Sequence, residues 1–145
     1  MFEFPPSWQL WAVLSACFAA LTAIFGKLGV RQIDADFATL LRTFLIALIL
    51  SAFVLATGKW RDPRELPRTT VLFLGLSALA TGASWVCYYR ALQLGEASRV
   101  APIDKLSIVL VTVFAVMFLG ERPSTSDWLG ISLVAAGILI LAMRK

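Results

Sequence analysis

The chain has no histidine, little charge and no polar stretch long enough to fold as a unit of its own. Each absence excludes something. Without histidine, the most usual general base and metal ligand is missing. The only two cysteines, Cys17 and Cys87, sit singly inside apolar runs. That arrangement gives neither metal-ligand spacing nor a disulfide framework. There is no Gly-x-Ser-x-Gly turn and no phosphate-binding glycine loop. No serine has a base with its own orienting partner nearby in the sequence. The expectation is a protein that is not an enzyme, with no catalytic residue, no cofactor and no metal. Charged residues make up 15% of the chain, against about 25% in an ordinary soluble domain. The net charge of +4 is scattered between apolar runs and forms no tract, so no nucleic-acid partner is expected. Neither a basic leader nor a small-residue cleavage site marks the start, so no cleavable signal peptide is expected.

What the chain has in excess is hydrocarbon. Of 145 residues, 59% are apolar, more than a core of that size can enclose. A lipid surround removes the conflict. Five runs have the length of a membrane-spanning helix: residues 8–26, 37–57, 70–89, 100–120 and 127–143. They are uninterrupted rather than alternating, which favours helices over barrel strands. The fold class expected is therefore an all-α membrane protein of five transmembrane helices, a single multi-pass domain over residues 1–145. Pro5, Trp8 and Trp11 suit an entry through the membrane interface. Gly58 and Gly120 read as helix stops, and Ser124-Thr125-Ser126-Asp127 as the cap of the fifth helix. The longest polar connection, from Gly58 to Arg68, leaves no room for a soluble domain.

Five crossings put the termini on opposite sides. Lys59, Arg61, Arg64, Arg68 and Arg122 then lie on one side, and Lys27, Arg31, Arg90, Arg99, Arg144 and Lys145 on the other. A count of five against six gives no direction under the positive-inside rule. Either the helix ends differ from these bounds or the chain inserts both ways round, and the second option opens the way to an antiparallel homodimer that reproduces an inverted repeat.

The third run carries hydroxyls at Ser77, Thr81, Ser84 and Tyr88, all on one helical face. Gly75, Ala78, Gly82, Trp85 and Tyr89 run beside them. Two readings stand: a packing face whose hydroxyls bond back to their own helix, or the wall of a polar path. Arg42, Asp104 and Lys105 lie inside or near spans, where a mid-bilayer charge costs roughly 2.5–3.5 kcal/mol. Here too there are two readings. If Pro102 is the first helical residue, Asp104 sits in a first turn where the dipole favours it, and Lys105 and Arg42 snorkel to the interface. Otherwise the three line a water-filled cavity and hold a polar or zwitterionic solute.

The polar stretch between the third and fourth runs is the most specific. It reads Tyr-Tyr-Arg-Ala-Leu-x-Leu-Gly-Glu-Ala-Ser-Arg-Val-Ala-Pro-Ile-Asp-Lys-Leu-Ser over 88–107. Phe-Leu-Gly-Glu-Arg-Pro follows at 118–123, then Trp128-Leu129-Gly130-Ile131 and Gly137. With Ala23 to Gly29 and Thr39-Leu40-Leu41-Arg42-Thr43, this pattern resembles the EamA repeat of the drug/metabolite transporter superfamily. Most members of that family resemble two such repeats fused in inverted orientation, and this chain has the length of one. The resemblance implies solute export by a dimer, through a central cavity lined largely by the first, third and fourth helices. Carried onto this sequence it places Trp85, Tyr88 and the polar side of the fourth helix at the cavity. It does not extend to the glutamate that the small multidrug resistance branch carries in its first helix. The residues expected to bind solute are Arg42, Ser84, Trp85, Tyr88, Tyr89, Asp104, Lys105 and Ser107. The solute class expected is small metabolites such as amino acids, moved by alternating access across a bacterial inner membrane. Membrane lipid and a second copy of the chain are the expected partners. The alternatives are one half of a heteromeric transporter or lipid-carrier flippase, and a non-transporting accessory subunit.

Overall fold

The computed structural model describes residues 8–143. Pro5, Arg144 and Lys145, invoked above for entry and charge balance, lie outside the described residues. The chain forms α1 (Trp8–Gly29), α2 (Ala35–Ala56), α3 (Arg68–Leu94), α4 (Ala97–Asp104), α5 (Ser107–Phe114) and α6 (Thr125–Met143). Five spans are long and apolar enough to cross a membrane, α4 and α5 together with the π-helical turn Ala115–Leu119 counting as one. In every span at most 11% of the apolar window is buried inside the chain. So much bare hydrocarbon needs lipid or another protein around it. Among the described residues there is no strand.

Helix ends follow local chemistry. At the start of α2, the Asp34 carboxylate accepts from the Asp36 and Phe37 amides at 2.9 and 3.1 Å, satisfying donors that the first turn leaves open. At its end, Gly58 has φ of +65°. The Gly58 amide donates to Leu55 O and the Lys59 amide to Val54 O, the paired bonds of a glycine-terminated helix. A reciprocal cap opens α6. The Ser124 amide and hydroxyl both donate to Asp127 Oδ2, and the Asp127 amide donates back to Ser124 Oγ at 3.3 Å.

The fourth span departs from expectation. Pro102 is not its first residue but lies inside α4, which starts at Ala97 and ends at Asp104. Asp104 is therefore at a helix C-terminus, where the dipole opposes a carboxylate, and the first-turn reading is withdrawn. Proline removes a backbone donor and crowds the preceding turn. Beyond it the ladder tightens: Lys105, Leu106, Ile108 and Val109 amides all donate three residues back. The span is broken at Lys105–Leu106 before α5 resumes. The third helix is also longer than its apolar run, reaching back to Arg68 and on to Leu94.

The chain divides into two units, one ending at Leu94 and the other beginning at Gly95. In the first, α3 packs against α2 and α1. Its small core, Ala23, Val30, Ala35, Ala38, Thr39, Tyr89 and Leu92, lies around the C-terminal end of α3. The rest of α3, through Ser84, is exposed. In the second unit α6 packs on α4 and α5, burying Ala115 and Ile138.

Candidate functional site

The first unit places a cation inside a span. Arg42 is the eighth residue of α2, and its guanidinium lies over two rings of α3, 4.5 Å from the centroid of Trp85 and 5.4 Å from that of Tyr89. Trp85 and Tyr89 are one helical turn apart, so they present both rings to one side. Desolvated cation–π contacts contribute about 2 kcal/mol, less than the roughly 2.5–3.5 kcal/mol that a charge costs at mid-bilayer. The rings alone do not balance the charge. Arg42 Nη1 is cut off from solvent and has no hydrogen-bond partner. A buried donor without a partner carries its full desolvation penalty.

A cleft of about 370 Å³ lies beside this arrangement, lined by Arg42, Tyr89, Gly26, Gly29, Phe25 and Leu41 among others. Gly26 sets how closely α1 approaches. A Cβ at that position would lie 3.2 Å from the Tyr89 hydroxyl oxygen and 3.4 Å from Leu92 Cδ1. Tyr89 is 4% exposed and Leu92 fully buried, so a larger side chain at this position would press on two packed side chains.

Three polar ties fix the same end of α3. Lys27 Nζ donates to the Leu92 carbonyl, satisfying a helix-terminal acceptor. Gln93 donates to the carbonyls of Ile33 at 3.1 Å and Val30 at 3.4 Å in the α1–α2 connection. Arg90 holds Asp36 through two parallel bonds, Nε to Oδ1 and Nη2 to Oδ2, the fork geometry that guanidinium and carboxylate share. None of these ties was evident from sequence. The partners are 54 to 65 residues apart, and Lys27 read only as the end of an apolar run. The nearest available signal was the Asp34-x-Asp36 pair at the start of α2 and the separate polar stretch that holds Arg90.

The structure thus brings together Arg42, Trp85 and Tyr89, with Tyr88 edge-on to Tyr89 at 6.3 Å. Ser84 lies on the exposed face of α3. Among the described residues, Thr39, Thr43, Thr57 and Thr112 donate back to carbonyls of their own helices, whereas Ser77, Thr81 and Ser84 make no such bond. Asp104, Lys105 and Ser107 belong to the second unit. There the Lys105 ammonium pairs with the adjacent Asp104 carboxylate at 3.2 Å, at the break in the fourth span, and Ser107 is the exposed first residue of α5. Cys17 and Cys87 are free and exposed. Among the described residues no group of histidine, cysteine and carboxylate side chains is placed to hold a metal.

Comparison with known proteins agrees with this architecture. The model of the EamA-like transporter family matches residues 6–143. An uncharacterised transporter in the cobO 3′ region of a Sinorhizobium species is 61% identical over 137 residues, covering 94% of this chain and 97% of that protein. The uncharacterised transporter YxxF of Bacillus subtilis is 26% identical over 143 residues, which span 94% of this chain but 42% of YxxF. A probable 4-amino-4-deoxy-L-arabinose-phosphoundecaprenol flippase subunit, ArnE, of Hamiltonella defensa is 30% identical over 86 residues, covering 59% of this chain and 76% of that protein. No solved structure matches the chain. A family match across nearly the whole chain, over five spanning helices, identifies this protein as a member of the EamA-like transporter family.

Proposed function

We propose that the chain moves small polar metabolites, amino acids or similar solutes, out of the cell by alternating access, acting as one half of a homodimer in the bacterial inner membrane. The observation that carries this reading is the cleft beside Arg42: a cation with an unsatisfied donor, set inside a largely apolar span. Ionisable groups at such depth serve solute or ion pathways far more often than stability. Trp85, Tyr88 and Tyr89 line or flank the cation, and Ser84 continues the hydroxyl face of α3. Asp104, Lys105 and Ser107 supply polar groups at the broken fourth span, the kind of discontinuity at which transporters hold solutes.

Two observations support the dimer. The exposed length of α3 carries unbonded hydroxyls and small residues, a surface that another helix can approach closely. A match that fills 42% of YxxF leaves room in that longer relative for a second repeat. The balanced distribution of basic residues suits antiparallel insertion. The bacterial relatives support the assigned membrane.

A heteromeric reading is favoured by one specific finding, the likeness to ArnE, a flippase subunit. Two measurements separate the readings. Single cysteines at Ser7 and after Lys145, on a background lacking Cys17 and Cys87, are labelled in intact cells with an impermeant reagent. Partial labelling of both termini is the result expected of the antiparallel homodimer. Labelling of one terminus alone refutes that arrangement. Counterflow of radiolabelled amino acids in liposomes containing only this chain tests transport, and its absence there, with recovery after co-purification of a second subunit, favours the heteromer.

A further inference from the structure

We propose that the solute taken beside Arg42 is a small carboxylate with an apolar body, and that the Arg42 guanidinium is its counter-charge. This rests on the transport reading above but departs from its amino-acid solute, favouring a carboxylate that carries no ammonium group.

Three observations converge. The first is the state of the guanidinium. Among the described residues, Nη1 has no hydrogen-bond partner and is closed off from solvent. Trp85 and Tyr89 lie against one side of the group, and Arg42 also lines the cleft. The N–H fork of a guanidinium matches the two oxygens of a carboxylate.

The second is the state of the acids. Each described aspartate of this unit is already engaged. Asp34 caps α2, Asp36 is held by Arg90, and Asp62 accepts from the Arg64 amide in the short turn after α2. Glu65 lies in that same turn, beyond the far end of α2. Among the described residues of the unit, no carboxylate is paired with Arg42.

The third is the lining. Apart from Arg42, Tyr89 and Thr22, the cleft is walled by glycine and hydrocarbon, including Phe25, Ile33, Leu41 and Leu45. It contains no acid that would hold an ammonium group. A cation meets like charge there, and a zwitterion leaves its ammonium without a partner. An anion with a branched or short apolar body satisfies both the fork and the walls. The volume of about 370 Å³ is at the small end of ligand-sized cavities.

The test uses the purified full chain in neutral detergent and three probes with the same branched body: 3-methylbutanoate, 3-methylbutylammonium and leucine. Thermal unfolding is followed against the concentration of each. The carboxylate is expected to raise the melting temperature at concentrations where the amine does not, with leucine weaker than the carboxylate. Arg42→Gln is expected to weaken carboxylate binding roughly 10- to 100-fold, the loss of one charge-assisted contact. Arg42→Lys keeps the charge but not the fork and is expected to fall between. Should Arg42→Gln fail to fold, the ranking of the three probes on the wild type and on Arg42→Lys decides the matter. Equal stabilisation by the amine overturns the proposal. So does carboxylate binding that is unchanged in Arg42→Gln, or an Arg42-dependent shift given by anionic phosphatidylglycerol and not by 3-methylbutanoate. Carboxylate binding through Arg42 without movement of 3-methylbutanoate in liposomes leaves this assignment standing and counts against the transport reading instead.

Discussion

Replacing Gly26 by valine should pull α1 away from α3, and the structure gives the size of the effect. A methyl group alone at this position would sit 3.2 Å from Tyr89 Oη, with Tyr89 Cζ and Leu92 Cδ1 at 3.4 Å. Alanine is therefore a tight but tolerable fit. Its crowding is set against a gain of about 1 kcal/mol in helix propensity over glycine. Valine adds two further carbons directed at side chains that are 4% and 0% exposed. Overpacking of a closed contact costs typically about 1–3 kcal/mol, and here the displacement also loosens the Lys27 contact with the Leu92 carbonyl. For a chain of this length that corresponds to a fall in melting temperature of roughly 3–10 °C. The assay is thermal unfolding of the purified protein in detergent, with Gly29→Val as the control. Gly29 lines the same cleft, yet an added Cβ there meets nothing within 4 Å, so its valine variant should melt with the wild type. Equal melting of Gly26→Val and wild type, or an equal fall in both variants, would refute the close-approach reasoning.

Other outcomes follow from the same geometry. A Cβ at Gly75 or Gly82 also meets nothing within 4 Å. Valine at either position should leave the melting of the dissociated chain unchanged and lower the dimer fraction seen by cross-linking in membranes. Asp36→Arg and Arg90→Asp should each destabilise the first unit, and the double exchange should restore it by re-forming the pair. Thermal unfolding of the three variants reads this directly. Asp104→Ala and Lys105→Ala should each abolish solute movement in liposomes while cross-linking still detects the dimer; transport by both at the wild-type rate would remove the broken span from the mechanism.

The helices were legible because bilayer thickness leaves a coarse signature: long runs of Leu, Ile, Val, Phe and Ala. Their ends were legible where one residue has a single physical use, as at Gly58 and Gly120 with positive φ, or Ser124 with Asp127. The fourth span differs from the expectation because proline suits both the first turn of a helix and a break inside one, and Pro102 takes the second place. Its local sequence does not say which; the turns that Ala97 to Ala101 form ahead of it do. Trp85 and Tyr89 are legible as neighbours on one strip of the third run, and Arg42 separately as a charge in hydrocarbon. That the charge lies on those rings depends on how α2 packs against α3, and no spacing along the chain encodes that. Gly26 attracted no notice, since a glycine in a membrane helix is ordinary until the tyrosine facing it is known. The Arg90–Asp36 pair was hidden for the same reason, with 54 residues between its members.

The placement of the three polar ties has a mechanical consequence. Lys27, Gln93 and the Arg90–Asp36 pair all grip the last five residues of α3, and the helix through Ser84 is exposed within its unit. A rod fastened at one end is a lever. With 27 residues, α3 is about 40 Å long at 1.5 Å per residue. A tilt of about 10° at the fastened end sweeps the free end through about 7 Å, more than the width of an amino-acid side chain. A rearrangement that tilted α3 at this end would therefore move its far end much further than it moved the rings beside Arg42.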